Sequence, residues 1–277
     1  MNLSNLLTDA EKLLIKRCEE LYSRADSGTF SATSFLNPRE RYIIENRLSY
    51  FFNNSDEAPL CFFYGGFPDA QRTVLCFLPS YYRYGMEEDN PVSVCREEMS
   101  QFIVPLRIKS GGYVKLAHRD YLGAVIGLGV ERSFVGDILT DSEGAIIFVS
   151  STVAGLLKNE LVYIGRDKVK VSGIILPLDF NRVPKFEKIN GTVASPRLDA
   201  VVSELANCSR ETAKTVIGQG LVEHNHFAAD RPDAEVTAGD TVSVRKTNGT
   251  KGGKFIVDSI TERSAKGRIR LAARRFI

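Results

Sequence analysis

Near the start of the chain, Leu3, Leu6, Leu7, Leu13, Leu14, Cys18 and Leu21 recur at spacings of three and four, the pattern of an amphipathic helix. A second helix is marked by Asn37-Pro38-Arg39-Glu40, which supplies an N-cap acceptor, a proline at the first helical position and a glutamate three residues past the cap. Tyr42, Ile43, Leu48 and Phe51 follow, so the helix is expected to run through Phe52. Two apolar runs, 60–64 and 73–78, flank the segment GGFPDAQR and predict a strand, a loop and a strand. The polar, turn-rich segment 82–91 closes this small α+β unit.

The middle of the chain alternates in a readable order. The pattern predicts strand 102–109, helix 118–129, strand 134–140, a turn at Asp141-Ser142-Glu143-Gly144, strand 145–150, helix 152–161 and strand 168–175. That βαββαβ order is expected to close as a four-stranded antiparallel sheet with both helices on one face, a ferredoxin-like or RRM-like plait. An RRM stacks bases on aromatics of its third strand, and here that strand offers only Phe148, so a conventional stacking platform is not expected. Residues 180–194 have turn signals and little periodicity and read as a linker.

From Ser195-Pro196 a helix places Leu198, Val201, Val202 and Leu205 at i, i+3, i+4 and i+7. Ser209 then caps a second helix with Ala213, Val216 and Ile217 inward and Gly220 ending it. Alternating runs at 241–245 and 255–260 are joined by KTNGTKGGK, and the basic segment KGRIRLAARRFI follows. The expected fold is α+β in three domains: an N-terminal α+β domain at 1–92, the plait at 93–180 and a C-terminal module at 195–277.

Composition adds exclusions. With 43% apolar and 25% charged residues among 277, the chain is not disordered as a whole. No apolar run reaches the roughly 18 residues of a membrane helix, and the first twenty residues lack a signal-peptide pattern, so a cytoplasmic protein without a membrane partner is expected. The five cysteines are scattered and read as reduced thiols. Net charge is +2, yet from Ser195 onward there are 14 Lys and Arg against 10 Asp and Glu, which tilts the C-terminal part toward an anionic partner.

Catalytic and metal motifs fail on their context. His118-Arg119-Asp120 matches a kinase triplet, but no Gly-rich phosphate loop, DFG or APE accompanies it. Gly123, Gly127 and Gly129 lie along the apolar run LGAVIGLG and read as close helix packing, and KGGKF lacks the spacing of a Walker A loop. His224 and His226 have no third ligand nearby and fit a hairpin turn. No catalytic residue, cofactor or metal is assigned. The positive signal is cationic: Arg197 begins one helix, and Arg210 and Lys214 lie one turn apart on the next, facing away from Ala213, Val216 and Ile217. A cation opposes the dipole at a helix start, so an anion across both helices, such as folded RNA, is expected, the alternative being a solvated basic face.

These residues resemble a known family. Arg197-Leu198-Asp199, Ser209-Arg210, Ala213, Ile217, Gly220-Leu221-Val222, Asn225 and the run from Gly239 to Val244 resemble the S4 (αL) RNA-binding domain, with His226 where that family has glycine. The blocks HRDYLGAVIGLGVERSFVGDI (118–138) and YGGFPDAQR (64–72) are similar to the hallmark segments of the YlmH family, with Gln71 where the family has glutamate. The resemblance implies a monomeric, non-enzymatic cytoplasmic protein that binds rRNA and tRNA on the large ribosomal subunit. It also implies a place in ribosome-associated quality control, supporting C-terminal tailing of stalled nascent chains. Contact roles would fall to Arg197, Ser209, Arg210, Lys214 and Asn225. In the plait the candidates are His118, Arg119 and Arg132, with Asp120 and Asp137 either in the site or capping a helix and a turn. The competing expectations are an S4-bearing RNA-modifying enzyme and a division scaffold that does not act through RNA.

Overall fold

A computed structural model of the protein describes residues 7–52, 55–84, 86, 90–177, 180–182, 185–263 and 267–277, and of 93, 94, 96, 262 and 263 the backbone only. The fold is α+β, and the chain divides into two compact units, Met1–Arg182 and Val183–Ile277. Among the described residues no helix is long and apolar enough to cross a membrane.

In the first unit, helix α1 (Asp9–Asp26) starts at a reciprocal capping box: the Glu11 N–H donates to Thr8 Oγ1 at 3.3 Å and the Thr8 N–H to Glu11 Oε2 at 2.7 Å. Leu3 and Leu6 of the predicted stripe lie outside the described residues, and Cys18, Leu21 and Ala25 carry it into the core. After the two-residue strand β1 (Ser31–Ala32), α2 (Pro38–Arg47) opens on the predicted box between Asn37 and Glu40. The helix stops short of Phe52 because Ser49–Phe52 tightens into a 3-10 turn. That turn drops Phe51 into the core, stacked on Tyr22 at 4.5 Å and edge-on to Phe77 at 5.6 Å. Strands β2 (Leu60–Tyr64) and β3 (Val74–Leu78) pair antiparallel, with β1 on the other edge of β3. Helix α3 (Val92–Ser100) was not legible in the pattern; its N-cap residue, Pro91, makes no side-chain cap hydrogen bond.

The same unit continues through β4 (Ile103–Ser110), α4 (His118–Gly127), β5 (Val135–Thr140), β6 (Gly144–Ser150), α5 (Ser151–Glu160), β7 (Tyr163–Ile164) and β8 (Asp167–Gly173). The sheet order is β5-β6-β4-β8-β7, every neighbour antiparallel. Alternation along β4 and β6 sends Leu106, Ile108, Ala145, Ile147 and Val149 toward Tyr121 and Val125 of α4 and Ala154 and Leu157 of α5. Ile103 and Phe148 face the other way and pack with Phe35, Leu60, Phe67 and Cys76. Both faces of β6 are therefore buried, which is why GAIIFV reads as a continuous apolar run rather than an alternating one. Residues 1–92 and 93–180 thus share an apolar cluster inside one compact unit.

Phe148 is fully buried. Its ring lies 5.0 Å from that of Phe67, and Gly66 sits against it at φ +96°, where an added Cβ would stand 2.2 Å from the ring. Glycine meets both demands at once, a left-handed backbone and a van der Waals approach that no side chain permits.

The second unit contains β9 (Phe186–Val193), α6 (Leu198–Leu205), α7 (Arg210–Gly218), β10 (Val222–His224), β11 (Phe227–Ala228), β12 (Thr241–Val244), β13 (Gly253–Arg263) and β14 (Ile269–Phe276). They form one sheet in the order β11-β10-β12-β13-β14-β9. The reading of 180–194 as a linker is corrected here: Phe186–Val193 pairs along its whole length with β14, from Phe186 opposite Phe276 to Val193 opposite Ile269. The partner strand supplies the order that the weak alternation of FEKINGTV lacks on its own. The basic segment is likewise a strand, with Leu271 and Ala273 buried and hydrogen-bonded neighbours on both sides. Helices α6 and α7 lay Leu198, Val201, Val202, Leu205, Ala213, Val216 and Ile217 against Val242, Phe255, Val257 and Leu271.

Candidate functional site

Helices α6 and α7 bring two of the predicted cations to one buried anion. Arg197 is the extended N-cap residue of α6, held by a bridge to Glu235, and Arg210 is the first residue of α7. Asp199, fully buried in the first turn of α6, accepts from Arg197 Nε and Nη2, each at 3.3 Å, and from Arg210 Nη2 at 3.0 Å. Burial pushes the Asp199 carboxyl up, but the hydrogen bonds and charges of Arg210 and Arg197 outweigh it and hold the group below its ordinary value. The anion across both helices that the sequence demanded is thus supplied in part by the chain itself. The arginines remain 43% and 44% exposed, and each guanidinium keeps donors beyond those it gives Asp199.

Ser209 is the N-cap of α7; its Oγ accepts the Thr212 N–H at 3.0 Å. Lys214 pairs with Glu211 at 2.8 Å on the exposed side of the same helix. Asn225 and His226 make the two-residue turn between β10 and β11, both at positive φ, 50° and 67°. The turn is pinned by Asp240, whose carboxylate takes Asn225 Nδ2 at 2.7 Å and His224 Nε2 at 2.8 Å, while Asn225 Oδ1 accepts the Thr241 N–H at 2.9 Å. Burial raises Asp240, and its hydrogen bonds to His224, Asn225 and Thr237 bring it below the usual carboxylate range.

In the first unit the candidates separate. His118 and Arg119, at the start of α4, are exposed, Arg119 by 90%. Asp120 caps that helix by accepting the Ala117 N–H at 2.7 Å. Arg132 instead turns inward and donates to the carbonyls of Val135 and Gly136, and burial together with the charge of Arg72 lowers its pKa to about 10. Asp137 accepts the backbone N–H groups of Gln71 at 2.7 Å and Arg72 at 3.2 Å. Burial raises its pKa despite those bonds and the two nearby guanidinium groups.

Arg72 completes the junction, donating from Nε to Val135 O at 2.8 Å and from Nη2 to Phe35 O and Arg132 O, both at 3.1 Å. The segments 64–72 and 118–138 are therefore welded together by Arg72 and Asp137. Sequence reasoning assigned no role to Arg72, Asp199 or Asp240. The signal for Asp199 was an acid two residues after Arg197; Arg72 and Asp240 lie inside the segments 64–72 and 239–244 that carry the resemblance, but nothing local marked their partners. Among the described residues, no cluster of three or more His, Cys, Asp or Glu is placed to hold a metal ion.

The fold and these clusters define a mixed α+β protein with an arginine-bearing helix pair beside an antiparallel sheet. Residues 94–176, from α3 to the segment after β8, match the family described as "Putative RNA-binding domain in YlmH". The chain is 32% identical over 215 residues to the Ribosome-associated protein quality control protein P2 of Bacillus subtilis (strain 168), covering 77% of this chain and 76% of that protein. The solved structure of the cell division protein ylmH from Streptococcus pneumoniae is similar with a TM-score of 0.44 and 22% identity, over 61% of this chain and 93% of that one. The chain belongs to the YlmH family.

Proposed function

We propose that the protein is a non-catalytic RNA-binding factor of ribosome-associated quality control. It acts as a cytoplasmic monomer on the large ribosomal subunit bearing peptidyl-tRNA and supports C-terminal tailing of the stalled chain. The observation that carries this reading is the 32% identity, over 77% of the chain, to a protein named for that process. The second unit is read as an S4 domain, and the βαββαβ part of the first unit as a ferredoxin-like RNA-binding domain.

The geometry supports a physical mechanism. Asp199 orients Arg197 and Arg210 before RNA arrives, so less side-chain entropy is lost when their remaining donors meet phosphate oxygens. Lys214 extends the same cationic surface. His118 and Arg119 form a second, smaller contact on the first unit. Two weak surfaces on one chain raise each other's effective concentration on a large RNA, which explains how a net charge of +2 suffices. Arg132 and Asn225 then act by holding the backbone behind these surfaces.

The test is sedimentation of the full-length protein from a lysate on a sucrose gradient, with the RNA of each fraction sequenced. Enrichment on large subunits together with tRNA, lost on RNase treatment, is expected. A protein that stays at the top of the gradient overturns the reading.

A further inference from the structure

The first unit holds a cavity of about 640 Å³ on the sheet face opposite α4 and α5. Its wall includes Phe62, Tyr64, Phe67, Phe148 and Phe180, together with Thr73. We propose that this cavity binds a nucleobase, either as a free nucleoside or nucleotide or as a base turned out of an RNA strand.

Three observations converge on that chemistry. The volume lies within the range of small-molecule sites. Aromatic side chains from β2 and the Gly65-Gly66-Phe67 turn, together with Phe180, offer flat apolar surfaces of the kind on which bases stack. Thr73 is 3% exposed, and its Oγ1 is a buried side-chain oxygen with no hydrogen-bond partner among the described residues. Buried hydroxyls are normally satisfied, and one that can both donate and accept suits the edge of a base.

Charge narrows the class further. Among the described residues of the lining, the groups with fixed charge are one cation, Arg41, and one carboxylate, Asp69, and Arg41 is already paired with Glu45 at 2.8 Å and lies over the Phe63 ring. A described lining that carries no net positive charge favours a neutral planar ring over a phosphate. The turn is made for close approach. An added Cβ at Gly65 would meet the Arg72 carbonyl oxygen at 2.6 Å, and at Gly66 the Phe148 ring at 2.2 Å. The sheet face that an RRM leaves open for a strand of RNA is here partly covered, leaving a cavity that still opens to solvent.

The experiment is isothermal titration of the full-length protein with adenosine, adenosine monophosphate and a four-residue oligoadenylate, repeated with Thr73→Val and Phe180→Ala. Thr73→Val removes the unpartnered hydroxyl at nearly constant shape, so its thermal midpoint is expected not to fall. Saturable binding weakened at least about fivefold by each substitution, with that midpoint retained, supports the site. Binding of adenosine identifies a free ligand, and binding of the oligonucleotide alone identifies an RNA base. No saturation by any of the three probes at millimolar concentration overturns the proposal, as does equal affinity in wild type and both variants. Co-sedimentation of the wild-type protein with ribosomal particles, scored separately, reports on the proposed function alone.

Discussion

The carboxylate of Asp137 accepts the backbone N–H of Gln71 at 2.7 Å, across 66 residues of chain. The bond uses the Gln71 main chain, so the side chain at this position, glutamine where the family pattern has glutamate, is not what holds the junction. Asp137→Ala removes the charged acceptor of two backbone N–H groups, one exposed and one part-buried, and is expected to lower stability by about 1–3 kcal/mol in urea unfolding of the whole chain. Gln71→Ala, at an exposed side chain, is expected to change it by less than about 0.5 kcal/mol. Equal effects from the two substitutions would remove the structural role of Asp137.

Arg210 has two duties that a double substitution separates. Arg210→Ala is expected to weaken binding to a ribosomal RNA fragment by about 1–3 kcal/mol and to reduce the slope of log K against log salt by about one. It also leaves Asp199 buried with only Arg197 beside it, and because both arginines are partly exposed the expected loss of stability is about 1–2 kcal/mol. Adding Asp199→Asn removes the stranded charge. The double variant should recover most of the thermal midpoint without recovering RNA affinity, measured by filter binding across salt.

His226 pays for the hairpin with a left-handed backbone that glycine adopts without strain. His226→Gly is expected to raise the stability of the second unit by about 0.5–1 kcal/mol, read from hydrogen exchange of the β10 and β11 amides. A drop in protection would show that the imidazole contributes more than the turn conformation costs.

Acid should loosen the second unit through Asp199 and Asp240. Both carboxyls are held below their unfolded value, about 3.9, so their contribution is present above that pH and is lost as pH falls through the folded value. Asp137 runs the other way: its pKa is raised, so its contribution is fullest below the unfolded value and declines as pH rises through the folded one. Hydrogen exchange of the full chain below about pH 4 is expected to show protection falling first in the second unit. Asp240→Asn should flatten that dependence, and an unaltered profile would count against the assignment.

The legible elements were those with local signals. The capping box at Asn37, the cap at Ser209 and the turn at Asp141 act within four residues and formed where expected. Residues of the candidate site were legible by type but not by partner. Arg132 looked like a surface cation and is held by carbonyls, and Arg197 and Arg210 looked unpaired and share Asp199.

The sequence by itself determined the βαββαβ order through the middle of the chain, apart from the two-residue strand β7 that makes its sheet five-stranded rather than four-stranded, the two short helices after Ser195, and the cations that begin them. Periodicity and capping are short-range, and each is written in adjacent residues. Only the tertiary structure decided that Phe186–Val193 is a strand, that Phe148 is covered by the Gly65-Gly66-Phe67 turn, and that Asp137 and Asp199 gather their donors. Those choices depend on surfaces that meet only once the chain has closed over long loops, and burial of a charge or a ring against a distant backbone leaves no periodic trace in the residues that make it.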